Sequence, residues 1–284
     1  MRGEFVDLDG VRLYCYAYGE RGAGHPIVLV HGTFTSSSLW QDVLRLLPKG
    51  HRVLVLDLLG HGRSDPPGAA AMTVAAHAAR LDHLLDIMGV REAILVGHGM
   101  GAAVAARVAH EQPERIAHLM LVNPTLLAGS ANEALLNRRV RRVASLVWLF
   151  KRLSPAWVAS ALHSALLPCF AHRDSGARSL DVYLKPFRLK DGRDAACAQL
   201  TALGQSRGDT IEALAPGAIQ CPTALVLGEN DPFLNTARSE RLVGWLRAAT
   251  NGALSVHTLP GVAHVAPEEA PDRLSSLVSE LISR

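Results

Sequence analysis

Five short stretches, each directly after an apolar run or late in the chain, hold the residue types that could do chemistry. They are His31-Gly32-Thr33-Phe34, the run from Asp57 to Asp65, Gly97-His98-Gly99-Met100-Gly101, Glu229-Asn230-Asp231 and "PGVAHVAPEEAP", which contains His264. A neutral imidazole is a useful base near neutral pH, and a buried carboxylate on its other nitrogen fixes the tautomer and stabilises the imidazolium that forms. The third stretch has the frame G-x-S-x-G, a strand-to-helix turn that presents a serine nucleophile, but Gly99 stands where the serine belongs. Glycine offers no nucleophile. It adopts the turn's unusual backbone angles at little steric cost, so the turn and its backbone N–H donors should survive.

The elements that must position these stretches are legible around them. Phe5–Leu8 and Val11–Tyr18 flank the turn "DLDG" and predict an antiparallel hairpin at a sheet edge. Pro26–Val30, Arg52–Asp57, Glu92–Gly97, His118–Asn123 and Thr223–Gly228 are continuous apolar runs, as expected of parallel strands covered on both faces. Helical spacing is read over Thr73–Met88, over the alanine-rich Ala102–His110 and over Pro271–Ile282. Strand and helix alternate, which predicts an α/β fold with a mostly parallel, doubly wound sheet. Ligands of such a sheet bind at the carboxyl ends of its strands, where four of the five stretches lie. The alternation fails from Thr125 to about Ala215, where helical patterns follow one another without a convincing strand. This predicts a helical insertion over 125–215 within a core formed by 1–124 and 216–284.

Five such stretches in this order on these strand ends closely resemble the α/β-hydrolase superfamily, of the capped single-domain type, over nearly the whole chain. The resemblance implies an α/β-hydrolase fold with 125–215 as its helical cap. It implies Asp231 as the acid, His264 as the general base and Gly99 at the nucleophile position. The backbone N–H of Met100, with that of Thr33 or Phe34, matches the oxyanion hole. The order elbow, acid, base also fits. Covalent acyl-enzyme chemistry through this elbow is ruled out unless another nucleophile substitutes, and Ser36, Ser37 and Ser38 read better as helix N-caps. Three readings follow. One is a serine-independent enzyme in which the Asp231/His264 dyad and the backbone donors act on a small hydrophobic carbonyl or ester-type substrate. Another is a serine hydrolase, esterase or C–C bond hydrolase, inactivated by serine-to-glycine exchange. The third is a non-catalytic small-molecule binding or accessory protein.

The insertion holds Trp148, Phe150, Trp157, Phe170, Tyr183 and Phe187, a large share of the chain's few aromatics, and predicts an apolar pocket that also involves His98. Arg188 and Lys190 could hold an acidic group on the substrate, or lie on a solvated face. Arg138–Leu153 places basic and apolar residues in helical proximity and reads as a lid helix, the alternative being a membrane-surface helix.

Composition excludes several classes. With 284 residues, 49% apolar and 19% charged, the chain can bury a large core and is neither disordered nor fibrous. A formal charge of +3 argues against nucleic acid as a partner. The charge is uneven, since 124–215 carries thirteen Lys/Arg against seven Asp/Glu. The N-terminus lacks an apolar signal region and no stretch is long enough for a membrane span, so a cytoplasmic protein without stable membrane insertion is expected. Cys15, Cys169, Cys197 and Cys221 are scattered and read as reduced structural thiols. No cofactor is implied, because a phosphate loop is absent and "GHGMG" does not fit a dinucleotide fingerprint. His31, His61 and His98 lack metal-ligand spacing, so no metal is expected. The partner implied is a small-molecule substrate, and the sequence leaves the oligomeric state open.

Overall fold

Continuous apolar runs place both faces of a strand in the core, and in the computed structural model every residue of three such strands is buried: Ile27–Val30, Val53–Leu56 and Ala93–His98. The structure describes residues 3–19, 24–68, 70–125, 154–205, 215 and 217–283. In chain order the strands are β1 (Gly3–Asp7), β2 (Arg12–Tyr18), β3 (Ile27–Val30), β4 (Val53–Leu56), β5 (Ala93–His98), β6 (Ile116–Val122), β7 (Thr223–Gly228) and β8 (Leu254–Leu259). They form one sheet in the order β1-β2-β4-β3-β5-β6-β7-β8. β1 and β2 form the expected hairpin, β2 pairs antiparallel with β4, and every other neighbour is parallel. The strand order reverses direction at β3, so the crevice at the carboxyl ends of β3 and β5 is the topological switch point.

The α-helices are α1 (Gln41–Leu46), α2 (Val74–Ile87), α3 (Met100–Glu111), α4 (Pro155–Leu166), α5 (Arg173–Tyr183), α6 (Lys190–Gln205), α7 (Thr236–Ala249), α8 (Ala266–Glu269) and α9 (Pro271–Ile282). Thr73 caps α2 by accepting from Ala76 N–H, and Ser154 caps α4 in the same way from Trp157 N–H. Ser36 N-caps the short 3₁₀ turn Ser37–Trp40, the role expected for that serine cluster. The helices cover the sheet in two apolar layers, one built around α2 and α3 and the other around α1, α9 and the helices between β6 and β7.

Between β6 and β7 the described residues form α4, α5, α6 and short 3₁₀ turns, with no strand. The basic stretch Arg138–Leu153, with Trp148 and Phe150, lies outside the described residues. Sequence reasoning missed β8 and α7. β8, "LSVHTL", is an edge strand buried fully only at Leu259, so it has none of the continuous apolar character of its neighbours. All four cysteines are free and buried. Among the described residues no helix is long and apolar enough to cross a membrane.

Candidate active site

The turn after β5 has the backbone of a nucleophile elbow. Gly99 sits at φ +57°, ψ −119°, a conformation L side chains rarely adopt, and α3 begins at the next residue. Its flanking glycines serve close approach. A Cβ at Gly97 would stand 2.3 Å from Gly101 O, and one at Gly101 would stand 2.4 Å from His31 O, so any side chain there would drive α3 away from β5 and β3. A Cβ built on Gly99 is different. It would lie 3.5 Å from His264 Nε2, 3.6 Å from Gly32 Cα and 3.9 Å from Thr125 Oγ1, in ordinary contact distance.

His264 and Asp231 meet although 33 residues separate them. His264 Nδ1 donates to Asp231 Oδ2 at 2.8 Å, and the carboxylate is fully buried while the imidazole is 11% exposed. Because Nδ1 bears the proton toward the carboxylate, Nε2 is left with its lone pair facing Gly99. The second carboxylate oxygen accepts from Phe233 N–H at 2.8 Å, a turn in which the aspartate side chain organises its own loop. Phe233 then packs edge-on to the imidazole, with centroids 4.8 Å apart. The two loops are also tied to each other: Asn230 N–H donates to Val262 O at 2.8 Å, and Gly261 N–H donates to Glu229 Oε2 at 2.9 Å.

The His264 backbone is held from three sides. Its N–H donates to Cys169 O, in the helical insertion, at 3.0 Å. Its carbonyl accepts from His98 Nε2 at 2.9 Å and from Asn123 Nδ2 at 2.8 Å. Asn123 is fully buried, takes φ +42°, also donates to Ala263 O at 2.9 Å and accepts from Gly228 N–H at 2.7 Å. One amide therefore joins the end of β6 to the end of β7, three residues before Asp231, and to the loop that carries His264. Glu269 adds a further tie, accepting Ala263 N–H at 2.6 Å and, from the insertion, Ala171 N–H at 2.5 Å.

The loop after β3 brings Thr33 and Phe34 to the same end of the sheet. Thr33 Oγ1 touches Met100 Sδ at 3.4 Å, which places the two loops side by side. Phe34 takes φ +59°, and its N–H donates to Gln199 Oε1 at 3.3 Å. Gln199, on α6, is buried and donates through Nε2 to Gly60 O at 2.6 Å. Phe34 N–H is thus engaged by the insertion, whereas Thr33 N–H has no partner among the described residues. Met100, the first residue of α3, presents one of the N–H groups that a helix start leaves without an intrahelical acceptor.

Other candidates fall in different places. His98 is buried beneath His264, ring centroids 4.9 Å apart, and braces the His264 loop. Burial, followed by the neighbouring His264, pulls its pKa down to about 3, so it is neutral. Phe187 is buried and packs edge-on to Phe34 at 6.1 Å. Arg188 is exposed and pairs with Asp181 at 2.8 Å, as on a solvated face. Trp148 lies outside the described residues. Cys169 is close to His264, but burial, then Asp231, pushes its thiol up to about 12, so it carries no thiolate at neutral pH. Among the described residues no group of three His, Cys, Asp or Glu side chains is arranged to hold a metal ion.

Sequence reasoning missed Asn123, Gln199, Glu269 and Thr125. Only Asn123 left a signal, as an asparagine directly after a buried strand, a position where this side chain tolerates positive φ.

A strand-ordered sheet switching at β3, an elbow after β5 and a His/Asp pair on the later loops define a class, and comparison with known proteins agrees. Residues 25–271 match the model of the alpha/beta hydrolase fold family, and the chain belongs to that family. Among curated relatives, it is 35% identical over 130 residues to the dihydrolipoyllysine-residue acetyltransferase component of the acetoin cleaving system of Cupriavidus necator. That match covers 45% of this chain and 34% of the relative, so the chain spans about a third of that protein's length. The putative carbamate hydrolase RutD of Variovorax paradoxus is 29% identical over 250 residues, 87% of this chain and 88% of its own. The enol-lactonase of Burkholderia xenovorans LB400 superposes with a TM-score of 0.79 at 23% identity, covering 99% of this chain and all of the other, a likeness of fold.

Proposed function

We propose that this chain is a hydrolytic enzyme that cleaves a small hydrophobic carbonyl or ester-type substrate with an activated water in place of a serine nucleophile. The observation that carries the reading is the position of His264 Nε2, 3.5 Å from the point where a side chain on residue 99 would start, with Nδ1 locked to Asp231. Here Nε2 serves as general base, and the N–H groups of Met100 and Thr33 receive the developing oxyanion. Phe34 N–H is already committed to Gln199. Oxyanion donors and substrate binding alone still support roughly 10³- to 10⁴-fold acceleration over water when a triad member is missing. The helices between β6 and β7 act as the cap, and Phe187 against Phe34 contributes an apolar wall. The names of the relatives, a putative carbamate hydrolase and an enol-lactonase, fit a carbonyl at the reacting centre.

The test is turnover of p-nitrophenyl esters, from acetate to octanoate, by the parent, His264→Ala and Gly99→Ser. Parent activity that falls to background in His264→Ala is the expected result. Activity gained only in Gly99→Ser would instead assign a serine hydrolase that has lost its nucleophile, and a Cβ at residue 99 meets its neighbours at ordinary contact distances. Turnover in none of the three would leave a binding protein.

A further inference from the structure

The place left by the missing hydroxymethyl has a second polar wall, from a residue outside the dyad and the oxyanion loops. Thr125 follows β6 by three residues and its N–H donates to Gly99 O at 3.2 Å, so its backbone is fastened to the elbow. Its Oγ1 stands 3.9 Å from the point where a Cβ on Gly99 would lie, and His264 Nε2 stands 3.5 Å from the same point. Gly32 Cα closes a third side at 3.6 Å. A water near this point, shifted toward the two groups, would have the imidazole nitrogen and the hydroxyl as its polar partners.

We infer that Thr125 is a catalytic residue that holds the attacking water between its own Oγ1 and His264 Nε2, an inference that rests on the hydrolytic reading above. One water hydrogen points to the Nε2 lone pair and the other is accepted by Thr125 Oγ1, which leaves an oxygen lone pair aimed at the carbonyl carbon. As that lone pair forms the C–O bond, Nε2 takes the first proton and the carbonyl π pair moves to its oxygen. Met100 and Thr33 N–H hold the oxyanion. On collapse the carbon–leaving-group bond breaks, and the leaving oxygen takes the proton back from Nε2, so one water and one ester give one acid and one alcohol. Thr125 fixes the direction of attack and its own proton count does not change.

Three variants and one labelling experiment test this. Thr125→Val removes the hydroxyl at similar volume and should lower kcat on p-nitrophenyl butyrate about tenfold, the loss of one hydrogen bond to the reacting water. Thr125→Ser should recover most of it, and thermal melts check that all variants fold. Gly99→Ala should reduce turnover to the His264→Ala level, because its methyl occupies the water's place. A single turnover in H₂¹⁸O should deliver ¹⁸O to the acid in the first cycle. Unchanged kcat in Thr125→Val, full activity in Gly99→Ala, or a first cycle without ¹⁸O would each overturn the inference. The last of these would make an enzyme carboxylate oxygen the nucleophile. A crystal structure of the parent adds a readout that needs no substrate. Water within hydrogen-bond distance of both Nε2 and Thr125 Oγ1, absent from Gly99→Ala, is expected, and its absence from the parent would overturn the assignment even if His264-dependent turnover stands.

Discussion

Four histidines packed into the core make stability steeply dependent on pH. His31 begins the loop after β3, His61 follows β4, His77 lies on α2 and His98 ends β5; all are at most 2% exposed. His31 and His61 ring centroids are 5.1 Å apart, and His61 and His77 are 6.3 Å apart. Burial is the dominant cause in each case. It lowers His31 to about 4, and lowers His61 to about 3 with help from His31. His98 falls to about 3, and His77 lies well below its usual value, with His61 and Arg80 adding to burial. The folded values are depressed, so the unfolded chain binds more protons below its own pKa near 6.5. The contribution is therefore intact above that pH and is lost as pH falls toward the folded values. At pH 5 each histidine costs about 2 kcal/mol by linkage, and four together cost roughly 8 kcal/mol as an upper limit, comparable to the whole stability of a typical domain. Asp57 and Glu268, both raised by burial, work in the opposite direction and trim this figure. His77 is the residue to perturb, because neither ring nitrogen has a partner among the described residues. His77→Leu removes a buried polar ring at similar volume. Urea unfolding at intervals from pH 7.5 to 4.5 should show stability at pH 7 raised by about 1 kcal/mol. The slope near pH 5 should fall by one proton, about 1.4 kcal/mol per pH unit. An unchanged slope, with m also unchanged, would refute the claim that His77 stays neutral in the fold.

Two further outcomes follow from the braces around the site. Asn123→Ala strands Gly228 N–H and Ala263 O and leaves His264 O with His98 Nε2 as its partner, so it should cost roughly 2–4 kcal/mol in urea unfolding. It should also lower kcat on a p-nitrophenyl ester more than it raises KM, because the base loop loses its register; a variant equal to the parent in both would deny Asn123 this role. Gln199→Leu keeps the bulk but leaves Phe34 N–H and Gly60 O unpaired, a loss of about 1–3 kcal/mol per stranded group. Differential scanning calorimetry should record a drop of several °C in Tm, and a Tm within a degree of the parent's would show that the contact is not maintained in solution.

What could be read without coordinates was what local chemistry dictates. β3 to β7 announced themselves because strands covered on both faces must be apolar throughout, and the hairpin because it alternates around "DLDG". β8 was hidden by the opposite condition, since an edge strand half in solvent can carry Ser255, His257 and Thr258 without a pattern. In the site, Asp231 and His264 were legible because each follows a recognisable strand end or turn in the right order. The residues that hold them were not, because an asparagine after a strand or a glutamine in a helix is ordinary until a distant loop supplies its partner. Asn123 finds its partners 105, 140 and 141 residues away, and Gln199 finds its own 139 and 165 residues away. Gly99 shows the same division at one position. Its identity, read alone, offers no nucleophile; its backbone at φ +57° is the part of the turn that aims the α3 N–H groups, and glycine reaches that angle with less strain than serine. The position thus carries no side chain, while the α3 N–H groups, His264 and Asp231 stand around it. The water proposed above would stand beside His264 Nε2 at this position, with Thr125 on its other side.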